Sequence, residues 1–94
     1  VSAKKLDDAE ITKRLEGLPE WSRDGDAIVR KWSAGSFREA QALVNRVCDL
    51  AEGMGHHPDL HWVFVHVTFR LNTHDAGGLT KLDFALAGAI DAIL

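Results

Sequence analysis

The sequence predicts an α+β domain in which helices cover one face of a small antiparallel sheet, in the order α-β-β-α-β(β)-α. Three observations carry that prediction. Three capping positions each open a segment with apolar residues at helical spacing. An Asp-Gly pair separates two β-prone stretches, and residues 60–71 form a β-rich run with period-two alternation. Helices on one side of such a sheet are the natural way to bury both apolar surfaces.

The first helix opens at Asp7, with Glu10 three residues on as in a capping box. Ile11, Leu15 and Leu18 then share one face, and Gly17 and Pro19 end the helix. Asp24-Gly25 reads as a hairpin turn, because both residues tolerate positive φ. A short strand near Trp21 and a longer one over 27–33 are expected to flank it. Ser36 and Glu39 form a second capping box ahead of the widest stripe: Phe37, Ala40, Leu43, Val44, Val47, Cys48, Ala51 and Met54. Gly53 and Gly55 mark the end of this helix. Cys48 lies on the stripe and is expected in the core.

In the β-rich run, Val63, Val65, Val67, Phe69 and Leu71 share one parity and read as the core face. Trp62, Phe64, His66, Thr68 and Arg70 share the other. A face carrying Trp62 and Phe64 is too apolar for bare solvent and is expected to meet another subunit. A loop from Asn72 to Gly78 follows. Thr80 with Asp83 makes the third capping position, and Leu82, Leu86, Ala89, Ile90 and Ile93 form a last helix running to the end of the chain.

Composition narrows the function classes. The 94 residues, 46% hydrophobic and 27% charged, suit one globular domain spanning 1–94. No apolar run reaches the roughly 18–20 residues of a membrane span. No basic, apolar leader opens the chain, so no secretory signal is expected, and Val1 implies removal of an initiator Met. The net charge of −3, from 11 Lys+Arg against 14 Asp+Glu, argues against direct nucleic-acid binding. Lys4-Lys5 reads as a solvated tail. One cysteine excludes an intramolecular disulfide or multi-Cys zinc site and suits a reducing cytoplasm.

The five histidines, His56, His57, His61, His66 and His74, all fall between positions 56 and 74. His56, His57 and His74 lie on two loops, with Glu52 one turn before the pair and Pro58 keeping His57 out of helical geometry. A protonated His donating to a leaving group and a neutral His accepting a proton make an efficient pair at neutral pH. Metal binding through His56, His57 and His74 is a second reading, but adjacent histidines rarely face one ion, and no helical H-x-x-x-H pair within a metal motif appears, so no metal is expected. A plainer reading makes them loop or interface residues with satisfied hydrogen bonds. His66 is expected at an interface and His61 partly buried. Asp83 also suits the dipole of the last helix, and Asp75 a turn cap.

Geometry sets a condition on the catalytic reading. With 60–71 as one straight strand, His57 and His74 would lie about 40 Å apart. A hairpin turning near Phe64 to His66 would return both loops to one end of the sheet. No Gly, Asn or Pro stands there, so local rules favour the straight strand, while the chemistry favours the turn or a site completed by a second subunit.

These residues resemble the pterin-4a-carbinolamine dehydratase family. The match runs Glu52-x-x-x-His56-His57-Pro58, then Thr73-His74-Asp75-Ala76-Gly77-Gly78-Leu79-Thr80-x-x-Asp83, and covers nearly the whole chain. The family usually has Tyr-Asn at the turn between the third and fourth strands, where Phe64-Val65 stands here, often Asn at Gly55, and often an aromatic or other bulky residue at Leu60. The resemblance implies a four-stranded antiparallel sheet with three helices packed on one face (α-β-β-α-β-β-α), with strands near 21–24, 27–33, 60–64 and 66–72. It implies dehydration of 4a-hydroxytetrahydropterin to quinonoid dihydropterin, which recycles the tetrahydropterin of aromatic amino acid hydroxylases. No metal or cofactor is implied, and the partners are the pterin substrate and further copies in a homodimer or homotetramer. His56 and His74 are then expected as the acid–base pair and His57 as substrate-positioning. Glu52, Pro58, Thr73, Asp75 and Asp83 are expected around the substrate, with Glu52 and Asp83 orienting His or pterin N–H groups. The alternative is a non-catalytic pterin-binding or dimerisation module on the same fold.

Overall fold

A computed structural model describes residues 3–94, so Val1 lies outside the described residues. The elements run α1 (Asp8–Leu15), β1 (Ser22–Asp24), β2 (Ala27–Ser33), α2 (Phe37–Met54), β3 (Asp59–Val63), β4 (His66–Leu71), a 3₁₀ turn (His74–Ala76) and α3 (Lys81–Asp91). The four strands are antiparallel throughout, in the order β1-β2-β4-β3. The three helices cover one face of this sheet, as the sequence predicts.

Each helix begins where a side chain satisfies an orphan backbone donor. The Asp7 carboxylate accepts from the Glu10 N–H at 2.9 Å, and Ser36 Oγ accepts from the Glu39 N–H at 3.1 Å. The acidic residues of these two boxes turn elsewhere: Glu10 pairs with Arg14, and Glu39 accepts from the Gly35 N–H. Thr80 and Asp83 complete a reciprocal capping box on α3. That helix ends at Asp91, short of the chain end, and its buried face is Asp83, Phe84, Leu86, Ala87 and Ile90.

The core joins Ile28, Val67, Phe69 and Leu71 of the sheet to Leu43 and Val47 of α2, Leu86 and Ile90 of α3, and Ile11 of α1. Asp91 anchors the other end of α3. Its Oδ1 accepts from Trp21 Nε1 at 2.8 Å and from the Arg30 guanidinium at 2.5 Å, tying α3 to β2 and to the residue just before β1.

Two expectations about burial are corrected. Cys48 is exposed. It lies about 100° further round the helix than Val47, off the buried line of Ala40, Leu43, Val47 and Ala51. Phe37 and Met54, at the two ends of α2, are also exposed.

The second correction concerns residues 60–71, which form a hairpin with Phe64-Val65 as its loop. Turning the chain reverses parity between the arms. Trp62 pairs with Val67 and Leu60 with Phe69, so both face the helices, while Val63 and His61 face outward and are exposed. Core parity therefore holds for β4 and inverts for β3. The outer face is polar: His66 Nδ1 meets Ser33 Oγ at 2.7 Å, and Arg70 pairs with Asp24.

The turn forms without glycine because its neighbours hold it. Phe64 adopts φ 51°, a left-handed conformation that costs roughly 1–2 kcal/mol for a non-glycine residue. Trp62 Nε1 donates to the Phe64 carbonyl at 2.7 Å, and the Trp62 ring stacks on Phe37 with centroids 5.0 Å apart. The Ala34 N–H donates to the Val65 carbonyl at 2.9 Å.

Asp91→Ala removes one acceptor from two donors and leaves the Arg30 charge, largely buried, without its partner. The expected loss of stability is about 2–3 kcal/mol, read as a lower urea midpoint at unchanged slope. An unchanged midpoint would show that Asp91 does not anchor α3.

Candidate active site

Two loops at one end of the sheet carry the chemistry. The first is the exit from α2. Gly55 adopts φ 64°, and its N–H donates to the Glu52 carbonyl at 3.2 Å, while the His56 N–H reaches back to the Ala51 carbonyl at 3.1 Å. These are the two bonds of a Schellman cap. The cap fixes His56 directly beneath the end of the helix, and Pro58 then directs the chain into β3.

The second loop follows β4. Thr73 and Gly78 exchange backbone hydrogen bonds of 3.0 and 3.3 Å across the 3₁₀ turn that carries His74 and Asp75. Gly77 closes that turn with φ 74°. A Cβ at Gly78 would come within 2.9 Å of Lys5 Cε, so the Lys5 stem lies against this loop while Lys4 and Lys5 stay exposed, as expected. The Leu6 N–H donates to the Leu79 carbonyl at 2.8 Å and holds it there.

The hairpin at Phe64-Val65 returns the chain so that both loops border one cleft of about 220 Å³. Gly55, His56, His57, Asn72, Thr73, His74 and Asp75 line it. All three loop histidines thus converge within one chain, and no second subunit is needed to bring them together. A larger hollow of about 480 Å³ beside Arg46, Leu50, Met54 and Ile93 contains no histidine. That hollow carries one carboxylate, Asp49, whereas the three loop histidines all lie at the smaller one.

The histidines differ in their support. His56 is buried, and its Nε2 lies 2.6 Å from Asp83 Oδ1. Asp83 is wholly buried, and its Oδ2 accepts from Thr73 Oγ1 at 2.8 Å and from the Thr80 N–H at 2.9 Å. Burying a carboxylate is costly unless such a set of donors satisfies its oxygens. His57 Nε2 lies 2.8 Å from Glu52 Oε1, but this pair is open to solvent, with 64% and 81% of the side chains exposed. An exposed pair of this kind orients weakly. His74 and Asp75 are exposed on the cleft wall, while Glu52, Pro58 and Asp83 do not line the cleft. Thr73 does line it, but its hydroxyl turns inward to Asp83 and Thr80. His61 and His66 stand on the outer sheet face, away from the cleft. Among the described residues, no group of three His, Cys, Asp or Glu side chains forms a metal-binding set.

Sequence reading assigned Thr80 only a capping role. Its hydroxyl lies 2.8 Å from that of Thr73, inside the same buried network. Asn72 reads from sequence only as loop, and Gly55 as a helix end where the family often has Asn; both stand on the cleft wall. Nothing in their spacing distinguishes a wall residue from a turn residue.

Comparison with known proteins agrees with this fold. The family model for pterin 4 alpha carbinolamine dehydratase matches residues 4–93. A protein of Thermomicrobium roseum named "Putative pterin-4-alpha-carbinolamine dehydratase" is 51% identical over 83 residues, covering 88% of this chain and 89% of its own. One of the same name from Chloroflexus aurantiacus is 48% identical, covering 96% and 97%. The crystal structure of a transcriptional coactivator/pterin dehydratase from Brucella melitensis superposes with a TM-score of 0.92 at 28% identity, covering 96% and 98%. A pterin dehydratase-like RuBisCO assembly factor of the alpha-carboxysome shares the fold, with a TM-score of 0.64 at 20% identity over 78% and 84%. With its histidine cleft, its four-stranded sheet and a family match over almost its full length, the chain belongs to the pterin 4 alpha carbinolamine dehydratase family.

Proposed function

We propose that this chain dehydrates 4a-hydroxytetrahydropterin to quinonoid dihydropterin and water, as a 4a-hydroxytetrahydrobiopterin dehydratase, by histidine acid–base catalysis without metal or cofactor. One observation carries the reading: His56, backed by the buried Asp83 carboxylate, shares a single cleft with His57 and His74. The cleft suits one bicyclic heterocycle better than a larger ligand, since pockets for drug-sized molecules run to about 300–1,000 Å³.

The reaction breaks the C4a–O bond and the N5–H bond and forms the C4a=N5 double bond. His56, with Nε2 committed to Asp83, takes the N5 proton on Nδ1. The neighbouring carboxylate stabilises the imidazolium that results. His74, as imidazolium, gives its proton to the departing hydroxyl, which leaves as water. The N–H electron pair becomes the new π bond. His57, loosely held by Glu52, positions the pterin, with Asp75 available to its N–H groups. Solvent exchange at the exposed His74 and across the cleft then resets both rings. Acid–base assistance of this kind supplies about 10²–10⁴ in rate.

A protein-binding role is the second reading, favoured by two proteins of this fold, one a transcriptional coactivator/pterin dehydratase and the other a RuBisCO assembly factor. A cytoplasmic setting suits the exposed free thiol of Cys48. No helix among the described residues is long and apolar enough to cross a membrane. We also propose self-association into a dimer or tetramer. Trp62 no longer supplies its outer contact. Instead Phe37, Val63 and Phe64 are exposed at 48%, 54% and 65%, the last two at the end of the edge strand β3.

A coupled assay with freshly generated 4a-hydroxytetrahydropterin tests the activity. His56→Ala and His74→Ala are each expected to lower kcat about 10²-fold. His57→Ala is expected to act mainly on KM, and Glu52→Gln to change either constant less than about threefold. A wild-type protein that leaves the spontaneous rate unchanged would sink the enzymatic reading in favour of the binding one.

A chelator is expected to leave the rate unchanged, since the assistance the proposed residues give to C–O cleavage is proton transfer alone. Loss of activity on chelation, restored by a divalent ion, would contradict that mechanism.

For assembly, Phe64→Glu is expected to weaken association in sedimentation across a dilution series while leaving the circular dichroism spectrum intact. A wild-type monomer at micromolar concentration would refute self-association without touching the catalytic reading.

A further inference from the structure

We infer that Thr73 and Thr80 are positioning residues for His56: their hydroxyls form a one-way hydrogen-bond chain through Asp83 that decides which imidazole nitrogen is left to accept a proton. Its catalytic consequence rests on the dehydration proposed above. The chain of bonds itself does not.

The direction follows from counting protons. An ionised carboxylate accepts hydrogen bonds and donates none. The contact of 2.8 Å between Thr73 Oγ1 and Asp83 Oδ2 therefore uses the one proton of the Thr73 hydroxyl. In its 2.8 Å contact with Thr80 Oγ1, Thr73 can then only accept, so the Thr80 proton points at Thr73. Thr80 Oγ1 in turn accepts from the Leu82 N–H at 3.2 Å. Every proton in the series points the same way, from the α3 backbone through Thr80 and Thr73 to Asp83. The Thr80 N–H supplies a second donor to Asp83 Oδ2 at 2.9 Å. With Oδ2 held by two donors, Oδ1 faces His56, and Nε2 must donate to it. Neutral His56 is thus an Nε2–H tautomer with its lone pair on Nδ1.

Burial makes the arrangement hard to escape. Thr80 and Asp83 are fully buried, and Thr73 and His56 are each 9% exposed. A hydroxyl that lost its partner here would have little water to turn to, and a buried unpaired donor costs about 1–3 kcal/mol. The carboxylate cannot rotate without breaking bonds on both oxygens. The other groups near the ring differ in kind: His57 is engaged with Glu52 in solvent, and His74 and Asp75 are exposed on the far loop. None of them reaches Asp83.

Thr73→Val keeps the shape of the side chain and removes both its proton to Asp83 and its acceptor for Thr80. Long-range nitrogen–proton NMR at alkaline pH, on the protein without substrate, reads the tautomer of each histidine. The wild type is expected to show His56 as the Nε2–H form. Thr73→Val is expected to show a mixture of tautomers at His56, with His57, His61, His66 and His74 unchanged. In the dehydratase assay the same variant is expected to lose about tenfold in kcat, part of the acid–base contribution, with KM within about twofold. Thr73→Ser is expected to restore both the spectrum and the rate. Thr73→Ala is a second variant with the same expectation should the valine variant not fold. A wild-type His56 spectrum in whichever variant folds would overturn the inference. A shifted spectrum in a protein whose wild type shows no dehydratase activity would uphold the hydroxyl chain and refute the proposed reaction instead.

Discussion

Asp83 is the group on which the site depends. A carboxylate with no solvent exposure would be prohibitively costly to keep charged without donors on both oxygens. Those donors come from three places in the chain: the start of α3, the loop after β4 and the loop after α2. One buried charge therefore caps a helix, closes the Thr73–Gly78 loop and orients His56. Because the same atoms do all three, the site is as rigid as the fold that holds it. A change that frees Asp83 would loosen the helix start and the histidine together.

The second constraint is the hairpin between β3 and β4. It makes the end of α2 and the loop after β4 neighbours, and it does so through a turn whose residues do not favour it locally. Trp62 resolves the conflict. Its indole N–H holds the Phe64 carbonyl, its ring rests on Phe37, and its position opposite Val67 sets the register. The turn is thus a tertiary product, supported by α2 and by the Ala34–Val65 bond from the residue after β2. Its stabilisation is spread over aromatic stacking and hydrogen bonds, and it needs no residue of intrinsic left-handed preference.

The five histidines separate into two groups for a reason of topology. His61 and His66 alternate outward along a sheet whose other face is covered, so they meet solvent and polar neighbours such as Ser33. His56, His57 and His74 sit past the ends of elements, where the backbone turns and side chains from distant segments can meet. Even among these three, support is graded from the buried Asp83–His56 pair to the open Glu52–His57 pair and the exposed His74. In the proposed dehydration this gradation gives a firmly held base at His56 and a solvent-exposed acid at His74.

Much of this was legible in the sequence, because it rests on contacts between residues close along the chain. The helix starts at Asp7, Ser36 and Thr80 follow from side chains that reach donors two or three residues on. The core face of β4 follows from simple alternation, and the clustering of histidines flags the site directly. Tertiary structure alone decided the rest. Cys48 lies just off a stripe whose width depends on how α2 meets the sheet, so its exposure could not be read from spacing. The inversion of β3, which turned Trp62 inward and Val63 outward, follows from a turn that only distant residues stabilise. The Thr80–Thr73–Asp83–His56 chain joins residues up to 27 positions apart. Local pattern reports the geometry of a few neighbouring residues, whereas a buried hydrogen-bond network exists only once separate segments have closed around it and excluded water.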